Sequence, residues 1–136
     1  MAYDGGAMTD TWTHLTFQHH RAADAVELYT RVIPASSIDA RRSIGDDGME
    51  LIRFTLAGRP FIAVDSPPVH RWDFSPAVSV YLVCDSVDEV DRIYAALSDG
   101  GTAFMPVGSY PFNSRFGWCA DRFGVSWQVG LSLWPA

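Results

Sequence analysis

The sequence predicts an α+β fold built of two tandem βαβββ units with pseudo-twofold symmetry. Hydrophobic periodicity runs through one strand, one helix and three strands, and then through the same order again. Turn-forming clusters punctuate both runs at matching places. A single offset of 65 residues lays one run over the other: His14-Leu15-Thr16-Phe17 falls on Ser79-Val80-Tyr81-Leu82, Tyr29 on Tyr94, and Ile62-Ala63-Val64 on Trp127-Gln128-Val129.

Residues 1 to 11 are small and polar with no periodicity, which predicts a flexible leader ahead of a single domain over 12–136. From Thr13 to His19 the residues alternate, Leu15 and Phe17 on one face and His14, Thr16 and Gln18 on the other, as in a half-buried strand. Arg21 to Val32 changes to helical period with a stripe of Ala22, Ala25, Val26, Tyr29 and Val32, and Pro34 ends it. Ser37 to Ile44, Met49 to Ala57 and Pro60 to Ser66 then read as strands, separated by Gly45-Asp46-Asp47-Gly48 and Ala57-Gly58-Arg59. The first unit thus covers 12–66, and a proline-rich connector covers 67–76.

The second unit, 77–131, opens with a strand from Ala77 to Cys84. A helix from Ser86 to Ser98 follows, with Asp88 and Glu89 in its first turn and Gly100-Gly101 as its stop. Thr102 to Val107, Arg115 to Ala120 and Val125 to Leu131 are the remaining strands, and Gly108 to Ser114 reads as an aromatic loop carrying Tyr110 and Phe112. The turn Asp121 to Gly124 feeds the last strand, whose alternation puts Ser126 and Gln128 opposite Val125, Trp127 and Val129. Phe17, Leu82 and Trp127 fall on the helix-packing faces and are expected in the core.

A net charge of −6 leaves no basic surface for duplex nucleic acid, so no nucleic-acid partner is expected. No run approaches the roughly 20 apolar residues of a spanning helix, and the N-terminus lacks the basic-then-apolar order of a signal peptide, so no membrane partner and a cytoplasmic location are expected. Cys84 and Cys119 lack CxxC spacing and should be buried free thiols, on strands too far apart to bridge. Asp24, Glu27, Asp88, Glu89 and Asp91 read as solvated charges on helix outer faces, and His19-His20 as a surface pair. Walker, G-x-G-x-x-G and nucleophile-elbow motifs are absent.

Several stretches resemble the PhnB-like branch, also described as 3-demethylubiquinone 3-methyltransferase-like, of the vicinal oxygen chelate superfamily, which takes in glyoxalase, bleomycin-resistance and dioxygenase proteins. They are Arg21 to Tyr29 with Pro34 following, Phe54 to Phe61, Val78-Ser79-Val80, and Phe116-Gly117-Trp118 through Asp121 to Val129, the last being the most specific. The resemblance implies a curved sheet around a pocket between the two repeats, a small-molecule ligand and a homodimer. Metal-dependent members carry ligands on the first and last strand of each unit, and by the parity above those positions are His14, Ala63, Ser79 and Gln128. In His-first members the ligand stands fifteen residues before the helix tyrosine, as His14 does before Tyr29; Gln128 stands where a Glu is usual.

Only His14 and Gln128 could serve a metal there, and a divalent ion wants more donors and usually a carboxylate. No cofactor is expected; should a divalent metal bind, His14 and Gln128 would hold it. Two readings stay open. One is a binding protein with a mainly aromatic pocket of Ser79, Tyr81, Tyr110, Phe112, Trp118, Gln128 and His14. The other is an enzyme, a lyase, isomerase or transferase, using His14 as base or metal ligand. The register of the strand carrying Trp118 leaves that residue pocket-facing or edge-facing.

Overall fold

The computed structural model of the protein describes residues 8–45 and 47–133. The leader expected over residues 1–11 lies outside the described residues for its first seven positions. The chain divides between Arg71 and Trp72 into two compact units.

Unit 1 comprises β1 (Thr13–Gln18), α1 (Ala22–Val32), β2 (Ser37–Ser43), β3 (Glu50–Leu56) and β4 (Arg59–Ser66), with the strands in the order β1-β4-β3-β2. β1 and β4 run parallel and the other pairs antiparallel. Unit 2 repeats the plan with β5 (Ser79–Val83), α2 (Val87–Ser98), β6 (Thr102–Tyr110), β7 (Asn113–Ala120) and β8 (Ser126–Gly130), ordered β5-β8-β7-β6. This is the α+β architecture of two similar halves that the periodicity predicts.

In each unit the helix covers one face of its sheet, and the strand period of two decides what it meets. Leu15 and Phe17 of β1, Ile52, Phe54 and Leu56 of β3, and Phe61 and Ala63 of β4 are buried beside Ala22, Ala25, Val26 and Tyr29 of α1. In unit 2 the buried face is Leu82, Cys119, Trp127 and Val129 against Val90, Ile93, Tyr94 and Leu97 of α2. A Cβ at Gly117 would lie 2.5 Å from the Tyr94 ring, so only glycine lets the tyrosine lie flat on β7.

The helix ends are stopped by different chemistry. Ser86 caps α2, accepting from the Glu89 N–H at 3.1 Å, while the Glu89 carboxylate accepts from the Asp85 N–H at 3.2 Å. Arg21, at the same position of α1, offers no side-chain cap. The orphan Ala22 N–H is instead met from β4 by Asp65 Oδ1 at 3.0 Å, and Asp65 Oδ2 accepts the Glu50 N–H at 2.9 Å, a buried carboxylate satisfied on both oxygens.

Three expectations need correction. The offset of 65 holds for the first strand and the helix of each unit but slips by one at the last strand. Leu15 pairs with Ala63 and its counterpart Val80 pairs with Trp127, so Ala63 matches Trp127, and Gln128 matches Val64. The second unit has one residue fewer between its helix tyrosine and its last strand. Ala63 accordingly lies fully buried on the helix side, not on the open face. Secondly, Gly108 to Ser114 is not a loop: β6 runs on to Tyr110, a turn at residues 111–112 follows, and β7 begins at Asn113. Pairing with β7, through three register irregularities, overrides the loop-forming residues there. Finally, Asp91 is not merely solvated, because Arg115 Nε reaches its Oδ1 at 2.7 Å.

Candidate functional site

The face of each sheet turned away from its helix carries the polar residues singled out in the sequence. In unit 2 the ladder registers place them in rows, since directly paired residues project to the same side. Ser79, Ser126 and Ala120 form one row, and Tyr81, Gln128, Trp118 and Met105 the next. In the third row Val83, Gly130, Phe116 and Gly108 stand abreast. The register of β7 thus settles Trp118: it lies on the open face beside Gln128, with Tyr81 on the other side of the amide.

A chain of hydrogen bonds ties the first two rows. Gln128 Nε2 donates to Ser79 Oγ at 3.3 Å, Ser79 Oγ meets Ser126 Oγ at 2.6 Å, and Trp118 Nε1 donates to Ser126 Oγ at 2.9 Å. Ser126 is the buried hub, and Gln128 is half-buried. With its amide nitrogen engaged, Gln128 presents its carbonyl oxygen as an acceptor with no bond among the described residues.

The third row opens an aromatic cluster. Phe116, 2% exposed, has the Phe112 ring edge-on at 5.0 Å, Tyr110 at 5.9 Å and Tyr81 at 6.1 Å. Phe104 packs edge-on to Trp118 at 5.2 Å. Tyr81 is held from both ends of its hydroxyl: it donates to the Ser132 carbonyl at 2.8 Å and accepts from Asn113 Nδ2 at 3.2 Å. Burial pushes its pKa up, against the opposing Asn113 bond, so the phenol is neutral at physiological pH. Gly130 leaves room for these groups, because a Cβ there would lie 2.7 Å from Asn113 Nδ2 and 2.9 Å from the Tyr81 oxygen. The structure therefore brings Ser79, Tyr81, Tyr110, Phe112, Trp118 and Gln128 onto one face of one sheet.

Phe104, Phe116 and Ser126 lie on the same face although they were not among the expected site residues. Ser126 was legible as sharing the Gln128 face, and Phe116 follows from Trp118 by alternation once the register is fixed. Phe104 had no signal, since it reaches this face through the irregularity between Ala103 and Met105.

His14 lies in unit 1, on the corresponding open face of its own sheet. It is exposed, pairs in register with Ile62, and has Thr16 Oγ1 at 3.4 Å from Nδ1. His19 and His20 are both exposed and both adopt left-handed backbone, at φ 67° and 57°, as the chain turns from β1 into α1.

The resemblance read from the sequence implies ligand positions for a divalent ion, so the residues at those positions can be tested against one. With Ala63 replaced by its true counterpart Val64, unit 1 holds an imidazole and an isopropyl group at these positions, and unit 2 a hydroxyl already shared by Ser126 and Gln128 and an amide. None is a carboxylate, and among the described residues no group of three His, Cys, Asp or Glu side chains is gathered for a metal. These residues do not fit such an ion.

The family model described as 3-demethylubiquinone-9 3-methyltransferase matches residues 9–130, nearly the whole described chain. The chain belongs to this family. The PhnB protein from Bacillus cereus is 35% identical with a TM-score of 0.86, the match covering 91% of this chain and all of that one. Protein PA1353 from Pseudomonas aeruginosa shares the fold at TM-score 0.78 and 24% identity, covering 90% of this chain and 97% of its own. The fosfomycin resistance protein FosX from Listeria monocytogenes shares the fold at TM-score 0.64 and 11% identity, over 93% of this chain and 94% of that one. No curated protein matches the chain. The fold is thus that of the PhnB protein, and FosX shares it at a lower identity.

Proposed function

We propose that the protein binds an organic small molecule on the open face of the unit 2 sheet, without a catalytic metal. The observation that carries this reading is the row Tyr81, Gln128, Trp118: one half-buried amide with its carbonyl oxygen available, between two aromatic side chains. Such a surface suits a planar, partly apolar ligand, stacked or edge-packed on the rings and oriented by a hydrogen-bond donor aimed at the Gln128 oxygen. Tyr110, Phe112 and Phe104 extend the apolar area, and Phe112 and Phe104 remain 38% and 39% exposed, so contact area is there to be covered. Methyl transfer, which the family description names, is not adopted, because no glycine-rich nucleotide loop is present in the sequence. Action as a homodimer belongs to the same reading and rests on the family resemblance, and a cytoplasmic location rests on the sequence, which offers no run long and apolar enough for a spanning helix.

The experiment is ligand capture followed by a defined probe. Native mass spectrometry of untagged protein should retain a small organic molecule. The neutral fluorophore N-phenyl-1-naphthylamine should bind the wild type and bind Trp118→Ala about tenfold more weakly. Val87→Ala, exposed at the start of α2 on the helix side of the sheet, should bind normally. Equal binding by wild type and Trp118→Ala would sink the assignment of the face.

A further inference from the structure

The open face of unit 1 differs in chemistry from that of unit 2, and nothing in the proposed function uses it. Arg53 of β3 pairs with Ala40 of β2, and Arg42 pairs with Leu51, so the two arginines are diagonal neighbours on one face. Such positions lie about 7 to 8 Å apart, close enough for both guanidinium groups to reach a common ligand atom group. A cleft of about 360 Å³ is lined by Ala40, Arg41, Arg42, Leu51 and Arg53, three arginines with no acid among the described residues that line it, in a chain whose net charge is −6.

The three arginines are not equivalent. Arg41 is committed to Glu50, with Nε to Oε1 at 2.9 Å and Nη2 to Oε2 at 2.8 Å. Arg42 and Arg53 are exposed and make no ion pair among the described residues. Asp39 of β2, whose charge attracts Arg53, already accepts from Ser37 Oγ at 2.7 Å and Thr55 Oγ1 at 2.6 Å, one bond on each oxygen, and does not line the cleft. Arg53 also stands over the Trp12 ring, 5.9 Å from its centroid, which limits where its planar fork can point. Trp12 and Arg53 line an adjoining cleft of about 300 Å³ with Asp10 and Ile62.

Two guanidinium groups on neighbouring positions of one face, neither in an ion pair among the described residues, repel unless an anion lies between them, and the fork of each matches the paired oxygens of a carboxylate or phosphonate. Leu51 and Ala40 supply apolar floor beside the charges. We infer that the Arg42–Arg53 cleft on unit 1 is a binding site for a small organic anion, a carboxylate or phosphonate with an apolar body. The site stands on unit 1 alone and does not depend on the reading of unit 2.

Benzoate and phenylphosphonate, with benzamide as the neutral isostere and inorganic phosphate as the bare anion, are titrated into ¹⁵N-labelled protein. Both organic anions should shift the amides of Ala40, Leu51 and Arg53, weaken with rising salt, and bind about tenfold more tightly than benzamide and phosphate. Arg42→Gln and Arg53→Gln should each lose about tenfold in affinity, the scale of one charge-assisted bond. Arg122→Gln, an equal charge change at the ion pair with Asp99, should lose nothing. Equal binding of benzamide or phosphate, shifts confined to other amides, or unchanged affinity in both arginine variants would overturn the inference. Trp118→Ala should leave benzoate binding intact, so failure of this site and failure of the unit 2 assignment are separately visible.

Discussion

At the scale of single residues, the site depends on a serine. Ser126, 2% exposed, is bonded to both Ser79 Oγ and Trp118 Nε1, so Ser126→Ala strands an indole N–H and breaks the link to Gln128. The cost should be about 1 to 3 kcal/mol in urea unfolding, with an unchanged m-value; a loss within the noise would mean the chain of bonds contributes nothing. Strand alternation alone placed Ser126 and Gln128 on one face, and that part of the site was legible. Which residues flank Gln128 was not, because a period of two says nothing about lateral neighbours until the register is known. The two thiols were legible and carry a pH prediction. Both are free and buried, and β8 lies between β5, which precedes Cys84, and β7, which carries Cys119. Burial, reinforced by the charge of Glu89 at Cys84 and of Asp121 at Cys119, pushes each pKa up from 9.0 to about 12. The unfolded chain therefore releases thiol protons first, so stability is intact below pH 9 and falls as pH rises from there toward 12. Cys84→Ala and Cys119→Ala should each flatten that alkaline decline; an unchanged slope in both would contradict the thiol burial.

At the scale of elements, order and type were legible along almost the whole chain because each strand and helix repeats its period over several residues. What escaped was anything set by contacts remote in sequence. The α1 N-terminus offers no local capping signal at Arg21; its cap comes from Asp65, 43 positions away from Ala22. Asp65→Ala should leave the Ala22 and Glu50 N–H groups unmet and remove a negative charge from the positive end of α1. A loss of about 2 to 4 kcal/mol is expected, with hydrogen exchange faster at both amides than elsewhere in unit 1. Uniform exchange across the unit would show that Asp65 is not the cap. The hairpin of β6 and β7 escaped for the same reason. Gly108, Pro111, Asn113 and Ser114 are all local turn formers, and only the pairing of Tyr110 with Asn113 makes strands of their surroundings.

At the scale of the molecule, two units with one plan carry different faces. The repeat was visible in the sequence, but a fixed offset assumed equal spacing, and one missing residue moved Gln128 from the counterpart of Ala63 to that of Val64. The consequence reaches the chemistry. The ligand positions that the resemblance implies hold an imidazole and an isopropyl group in unit 1 and a hydroxyl and an amide in unit 2, and the hydroxyl is already bonded to Ser126 and Gln128. A site able to hold Ni²⁺, Mn²⁺ or Zn²⁺ in the native state alone would stabilise it, at a hundredfold excess over Kd, by about 2.7 kcal/mol. For a chain of this size that is roughly 10 °C in Tm. The expected outcome is no upward shift in Tm with any of the three ions, for the wild type and for His14→Ala alike. A shift of that size, abolished by His14→Ala, would mean that the imidazole finds donors which the four positions do not supply, and the metal-free reading of the protein would fall with it.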